Sequence, residues 1–144
     1  MSNVKRDPRL QKLSSDHHHA LVLARHAERA AGDGADAHAL GEAWDHVRAG
    51  FAVELAPHFA IEESVLLPAM RRADHDALVD RTLSEHQAIR ACIGDPSPAD
   101  VRASLQLLAR LLTDHVRFEE RELFEAAQID LPDADLDAVD QAGR

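Results

Sequence analysis

The stretch His58-Phe-Ala-Ile-Glu62-Glu63-Ser-Val-Leu66-Leu67 returns later in the chain as His115-Val-Arg-Phe-Glu119-Glu120-Arg-Glu-Leu123-Phe124. Both read H-x3-E-E-x2-L-[LF]. With ten histidines and ten glutamates in 144 residues, one H-x3-E-E is expected about 0.05 times by chance. Two of them, trailed by the same apolar residues, form a repeat. Residues four apart share one face of an α-helix, and the apolar residues around both segments recur at three and four rather than at two. Each segment is therefore read as helical, with a histidine and a glutamate at positions where the pattern calls for leucine.

Working outward, chain-breaking residues gather at Gly32-Asp33-Gly34, at 68–76 and at Gly94-Asp95-Pro96-Ser97-Pro98. The four segments between them predict four helices. The first runs from Ser14 or Ser15 to Ala31, with Ser15 and Asp16 as N-terminal caps and a seam of Leu10, Leu13, His17, Ala20, Leu21 and Ala24. The second covers about 37–70, with seam Val47, Phe51, Leu55, His58, Glu62, Leu66 and Ala69. Pro57 should bend it, because proline lacks an N–H and crowds the carbonyl of Val53. The third covers about 76–93, with seam Val79, Leu83, His86, Ile89 and Ile93. The fourth opens with Ser97 as cap and Pro98 in the first turn and runs to Ala127, with seam Val101, Leu105, Leu108, Leu112, His115, Glu119 and Leu123. Short connections make this an all-α, up-down-up-down four-helix bundle, a single domain with its core at about 10–127. To align the histidines, the connections must climb, or helix two must begin nearer Gly41. The acidic tail, 130–144, carries five Asp and is either disordered or a short helix using Leu136 and Val139.

Composition narrows the function. Sixteen Lys and Arg against 26 Asp and Glu give a net charge of −10, which disfavours nucleic acid and anionic membranes. No apolar run is long enough to span a bilayer, no secretory signal is visible at the N-terminus, and the one cysteine, Cys92, fits a reducing, cytoplasmic setting. A protein partner or a homo-oligomer is left open.

The chemistry lies in the seam. A buried carboxylate without a partner takes up a proton rather than stay charged, so two of them beside four imidazoles imply cations. Six such donors exceed one tetrahedral zinc and suit two metals with the carboxylates between them. Mixed imidazole and carboxylate suit iron, and also manganese or zinc. For the first helix, His17 shares its face with Leu10, Leu13 and Ala24, whereas His18 shares its face with Gln11, Ser14 and Arg25; this favours His17, with His18 as the alternative. His19, His26, His38, His46 and His75 read as surface. Glu63 and Glu120, about 100° round the helix from the ligand face, are either solvated or acceptors for a histidine N–H on a neighbouring helix. Phe51, Phe59, Phe118 and Phe124 read as core and as a dry wall round the metals, Trp44 as packing at the end of the bundle, and Cys92 as core.

The paired H-x3-E-E segments with His17 and His86 resemble the hemerythrin-like (HHE cation-binding) domain, along about Leu10 to Phe124. The resemblance implies a non-haem di-iron centre with ligands His17, His58, Glu62, His86, His115 and Glu119. Glu62 and Glu119 would bridge two iron ions together with an oxo or hydroxo group. Respiratory members carry a second histidine one turn from the third-helix ligand; here those positions hold Thr82 and Arg90. One metal position is then open or filled by solvent, which argues against simple reversible oxygen carriage. The implied function is binding or sensing of oxygen, nitric oxide or a related small oxidant, or the handling of iron. The alternatives are a di-iron oxidase or peroxide-type enzyme and a helical interaction module with a structural metal. Ferritin-like di-iron proteins use Glu-x-x-His pairs, and this sequence has none.

Overall fold

The computed structural model describes residues 5–144. After a 3-10 turn at Pro8–Leu10 come helix α1 (Gln11–Ala30), α2 (37–72), α3 (Asp76–Ile93), α4 (101–130) and α5 (Asp133–Ala142). No strand occurs among the described residues. Helix α1 packs on α2 and α4, and α3 packs on the same two, which closes a four-helix bundle. No helix among the described residues is long and apolar enough to cross a membrane.

Three boundaries depart from the sequence expectation. Helix α1 starts before Ser14, because Asp7 caps the preceding turn, accepting from the Arg9 N–H at 2.9 Å with Pro8 in the first position. Ser15 and Asp16 therefore lie inside the helix and cap nothing. Helix α4 starts at Val101, not at Pro98: Asp100 accepts from the Ala103 N–H at 3.0 Å, and an aspartate is as good a cap as serine. Ser97 instead donates its N–H to Asp95 within the connection. In α3, Leu83 is 38% exposed and Thr82 is fully buried. The inward stripe runs Val79, Thr82, His86, Ile89, Ile93, which leaves Leu83 on its edge. Helix α2 begins at Ala37, capped by Asp36, so the register offset is absorbed by the connection at 31–36. Six residues can cover about 10 Å with ease.

Helices α2 and α4 are not uniformly α-helical. Wide π turns interrupt them at Phe51–Leu55, Glu62–Leu66 and Glu119–Leu123. In each, an N–H reaches five residues back: Ala56 to Phe51, Leu67 to Glu62, Phe124 to Glu119. The first two directly precede Pro57 and Pro68. Proline crowds the carbonyl of the preceding turn, and a widened turn relieves that conflict. The third has no proline, but it occupies the same place in the sequence repeat as the second.

The core is two apolar clusters. One holds Leu23, Trp44, Val47, Phe51, Leu55, Phe59, Ile89, Leu105, Leu108 and Leu112. Trp44 lies in it with its indole N–H donating to the Asp95 carbonyl at 2.8 Å. The other holds Leu10, Leu13, Leu66, Met70, Val79, Phe118, Leu123 and Phe124, and it extends into the tail through Leu131, Leu136 and Val139. The tail is thus an ordered helix, α5, seated against the π turn at Glu62–Leu66 and the turn at Pro8–Leu10. Arg9 pairs with Asp133 and Asp137, and Arg72 with Asp135. Leu136 is 2% exposed. Leu136→Ala is expected to lower unfolding free energy by about 2–4 kcal/mol in urea denaturation. A change under about 0.5 kcal/mol, the range of neutral surface substitutions, would show that α5 adds nothing to the core.

Candidate metal centre

Between the two apolar clusters lies a polar layer. His17 comes from α1, His58 and Glu62 from α2, His86 from α3, and His115 and Glu119 from α4. All six are buried, and both glutamates are inaccessible to solvent. His17 faces inward, while His18 and His19 are exposed. His38 and His46 are also exposed, and His26 and His75 are half-buried, outside this layer.

The donor atoms form two groups of four. His17, His58, Glu62 and Glu119 make one; His86, His115, Glu62 and Glu119 make the other. Within each group the atoms lie within 4.8 Å of one another. The carboxylates divide their oxygens between the groups. Glu119 Oε1 is 2.8 Å from His17 Nε2, and its Oε2 is 2.9 Å from His115 Nε2. Glu62 Oε2 is 3.2 Å from His58 Nε2, and its Oε1 is 3.0 Å from His86 Nε2. Four of these buried atoms, His58 Nε2, His115 Nε2, Glu62 Oε2 and Glu119 Oε2, have no hydrogen-bond partner despite the short approaches. Unpartnered buried polar atoms cost roughly 1–3 kcal/mol each or more. His17 with Glu119 and His86 with Glu62 are hydrogen-bonded, whereas the other two approaches, at about 3 Å without that alignment, have the spacing of neighbouring ligands on one ion at about 2.1 Å. The residues therefore fit a pair of cations.

A second ring surrounds the first. Each imidazole donates its Nδ1–H outward to a carboxylate: His17 to Glu120 at 2.6 Å, His58 to Asp16 at 3.0 Å, His86 to Glu63 at 2.7 Å and His115 to Glu85 at 2.7 Å. An ionised carboxylate only accepts, so Nδ1 keeps its proton, and on a neutral imidazole the Nε2 lone pair would face the centre. Of the two readings open for Glu63 and Glu120, the structure shows the acceptor. Their adjacency to Glu62 and Glu119 at the π turns lets neighbouring residues serve the centre and the next helix. Asp16 and Glu85 were missed in the sequence, Asp16 because it had been read as a cap. The signal was there: Ser15-Asp16-His17 and Ser84-Glu85-His86 are the same three-residue pattern in each half.

The aromatic walls are Phe59, stacked on His86 at 3.8 Å between ring centroids, and Phe124, stacked on His17 at 5.2 Å. Burial disfavours a charged imidazole, but the carboxylates outweigh it. For His115 the charge of Glu119 and its hydrogen bonds push the pKa up to about 10. For His86, Glu119 and Glu62 push it up to about 9. His58 stands well above the ordinary histidine value and His17 is raised. Burial alone would raise Glu119, yet His115, His17 and His58 hold it well below the usual carboxylate range.

The family model of the hemerythrin HHE cation-binding domain matches residues 9–127. The chain belongs to this family. Comparison with curated proteins and with solved structures gave no match. It is accordingly a metal-binding helical protein, and the buried His/Glu layer fits a metal site. Of the positions where respiratory members place a further histidine, Thr82 is buried and donates its hydroxyl to the Leu78 carbonyl at 2.7 Å. Arg90 is exposed and pairs with Glu63 at 2.6 Å.

The raised imidazole pKa values set a pH dependence for metal-stripped protein. Groups held above their unfolded value of 6.5 contribute stability that is fully present below pH 6.5 and is lost as pH rises through about 9 and 10. Chelator-treated protein is therefore expected to melt at lower temperature at pH 10 than at pH 6.5, and metal-loaded protein, in which the ion replaces the protons, to lack that decline. Parallel melting curves for the two forms across this range would contradict the assignment.

Proposed function

We propose that this chain is a non-haem di-iron protein that binds or senses oxygen, nitric oxide or a related small oxidant. The observation that carries the reading is that two groups of four buried donors share the same two carboxylates. His17 and His58 would hold one iron and His86 and His115 the other, with Glu62 and Glu119 placed to serve both. When bound, a pair of irons supplies redox chemistry in two one-electron steps and coordination positions for a small ligand. The protein's share is orientation and exclusion of water. The outer carboxylates Asp16, Glu63, Glu85 and Glu120 fix the imidazole tautomers. Phe59 and Phe124 cover ring faces, and apolar clusters close the layer on both sides. The sequence has no tyrosine, so no phenol beside the metals can act as reductant or proton donor.

One feature favours a second reading. Four protein donors per ion complete a tetrahedral zinc, whereas an ion preferring six ligands keeps positions free. A structural role would use zinc; ligand binding or oxidase chemistry would use iron or manganese. Protein purified without added metal is expected to contain two irons per chain, and anaerobic ferrous loading followed by oxygen is expected to give the visible absorption of a coupled ferric pair. Two zincs, no optical change and unfolding on chelation would favour the structural role. The double substitution Glu62→Ala, Glu119→Ala is expected to abolish two-metal binding; full metal content in it would overturn the bridging assignment.

A further inference from the structure

Each outer carboxylate is itself met by a cation, and two of the four pairs match each other across the internal repeat. Lys12 stands one turn before Asp16 and pairs with it at 2.7 Å. Arg81 stands one turn before Glu85 and pairs with it at 2.9 Å. Arg90, one turn after His86, pairs with Glu63 on α2. The repeat would place the fourth cation one turn after His17, and that residue is Leu21. Arg6 takes its place, from the segment ahead of α1.

Arg6 is also the one of the four that is withdrawn from water. Its side chain is 14% exposed, against 52% for Lys12, 51% for Arg81 and 45% for Arg90. Its Nη2 donates to the Glu120 carboxylate at 3.2 Å and to the Glu120 carbonyl at 2.9 Å. Its Nη1 donates to Gln128 Oε1 at 2.9 Å, and its guanidinium lies 5.6 Å from the Phe124 ring centroid. Glu120 and Phe124 are the two groups that hold His17, one at its Nδ1 edge and one at its face. Gln128 clamps the same segment, accepting from the Asp7 N–H at 3.1 Å and donating to the Lys5 carbonyl at 2.9 Å.

We infer that Arg6 is a positioning residue for one half of the metal centre, tying the His17/His58 position to the N-terminal segment while the His86/His115 position depends on helix-borne cations alone. The inference rests on the ligand assignment proposed above. Without the Arg6 side chain, the Glu120 carboxylate would keep only the Ser14 hydroxyl at 2.8 Å to hold it against His17. Losing the outer support of a ligand histidine typically weakens metal binding about 10–100-fold.

The test is anaerobic ferrous titration of the full chain with metal analysis after desalting. Wild type is expected to retain two ions. Arg6→Ala is expected to retain one as tightly as wild type and to bind the other about 10-fold more weakly or worse. Gln128→Ala, which loosens the same segment without touching a carboxylate of the ring, should shift the same ion in the same direction. It decides the question if Arg6→Ala does not fold. Arg6→Lys should recover part of the loss. In a His17→Ala background, Arg6→Ala should change nothing further, because the ion it supports is already gone. Two ions held as tightly as in wild type, parallel loss of both, or an added loss in the His17→Ala background would each overturn the inference. Wild type retaining fewer than two ions would instead overturn the ligand assignment.

Discussion

The structure depends on one constraint: six ionisable side chains lie at the centre of an apolar bundle, and every one must be compensated where it stands. The solution is concentric. Two glutamates sit innermost, four imidazoles surround them, four carboxylates accept the outward N–H groups, and four cations close the set. Each layer answers the one inside it. An isolated buried charge is expensive because its hydration is lost; here the buried glutamates and imidazoles face one another in place of water, and three of the four outermost cations remain about half exposed.

The same contacts stitch the helices in a closed circuit. Asp16 on α1 holds His58 on α2, Glu63 on α2 holds His86 on α3, Glu85 on α3 holds His115 on α4, and Glu120 on α4 holds His17 on α1. Apolar packing tolerates sliding and repacking among similar side chains. This circuit does not, since a one-residue slip of any helix turns its histidine about 100° away from the centre. Register is thus set by the polar layer, while the two apolar clusters supply the burial on either side. The π turns belong to the same design. Glu62 and Glu119 each open one, and in each the next residue takes the outer edge of an imidazole whose inner edge the first one meets, His86 for Glu62 and Glu63 and His17 for Glu119 and Glu120.

How much of this is legible in the sequence follows from the kind of signal involved. The helices and their inward faces were legible because burial is written as a three-and-four spacing, and His58, Glu62, His115 and Glu119 stood out because they interrupt that spacing twice in the same way. His17 and His86 followed from their apolar neighbours. The errors are of a different kind. Ser15, Asp16, Ser97 and Pro98 carry cap preferences, but so do Asp7 and Asp100, and a preference of about 1 kcal/mol does not choose between neighbouring candidates. Leu83 lost its place to Thr82 because the stripe on α3 is centred on a polar residue, which hydropathy does not reveal. The π turn at Glu119–Leu123 has no proline to announce it. Arg6 reaches Glu120 across 114 residues of sequence, and no local pattern encodes such a contact.

The charge of the nest explains how one architecture can accommodate both protons and metal. Glu62, Glu119 and the four outer carboxylates carry six negative charges; Lys12, Arg6, Arg81 and Arg90 carry four positive ones. The carboxylates shift all four imidazoles upward, and protonation of all four would add four positive charges. Two divalent cations on neutral imidazoles add the same four. Exchange of four protons for two divalent ions therefore leaves the net charge of the buried cluster unchanged, so neither form has to desolvate an excess that the other does not. A trivalent pair would add two more positive charges, and in a medium of low polarity that surplus calls for anionic ligands on the metals themselves. On the proposed assignment, the protein's fixed charges would match a divalent pair.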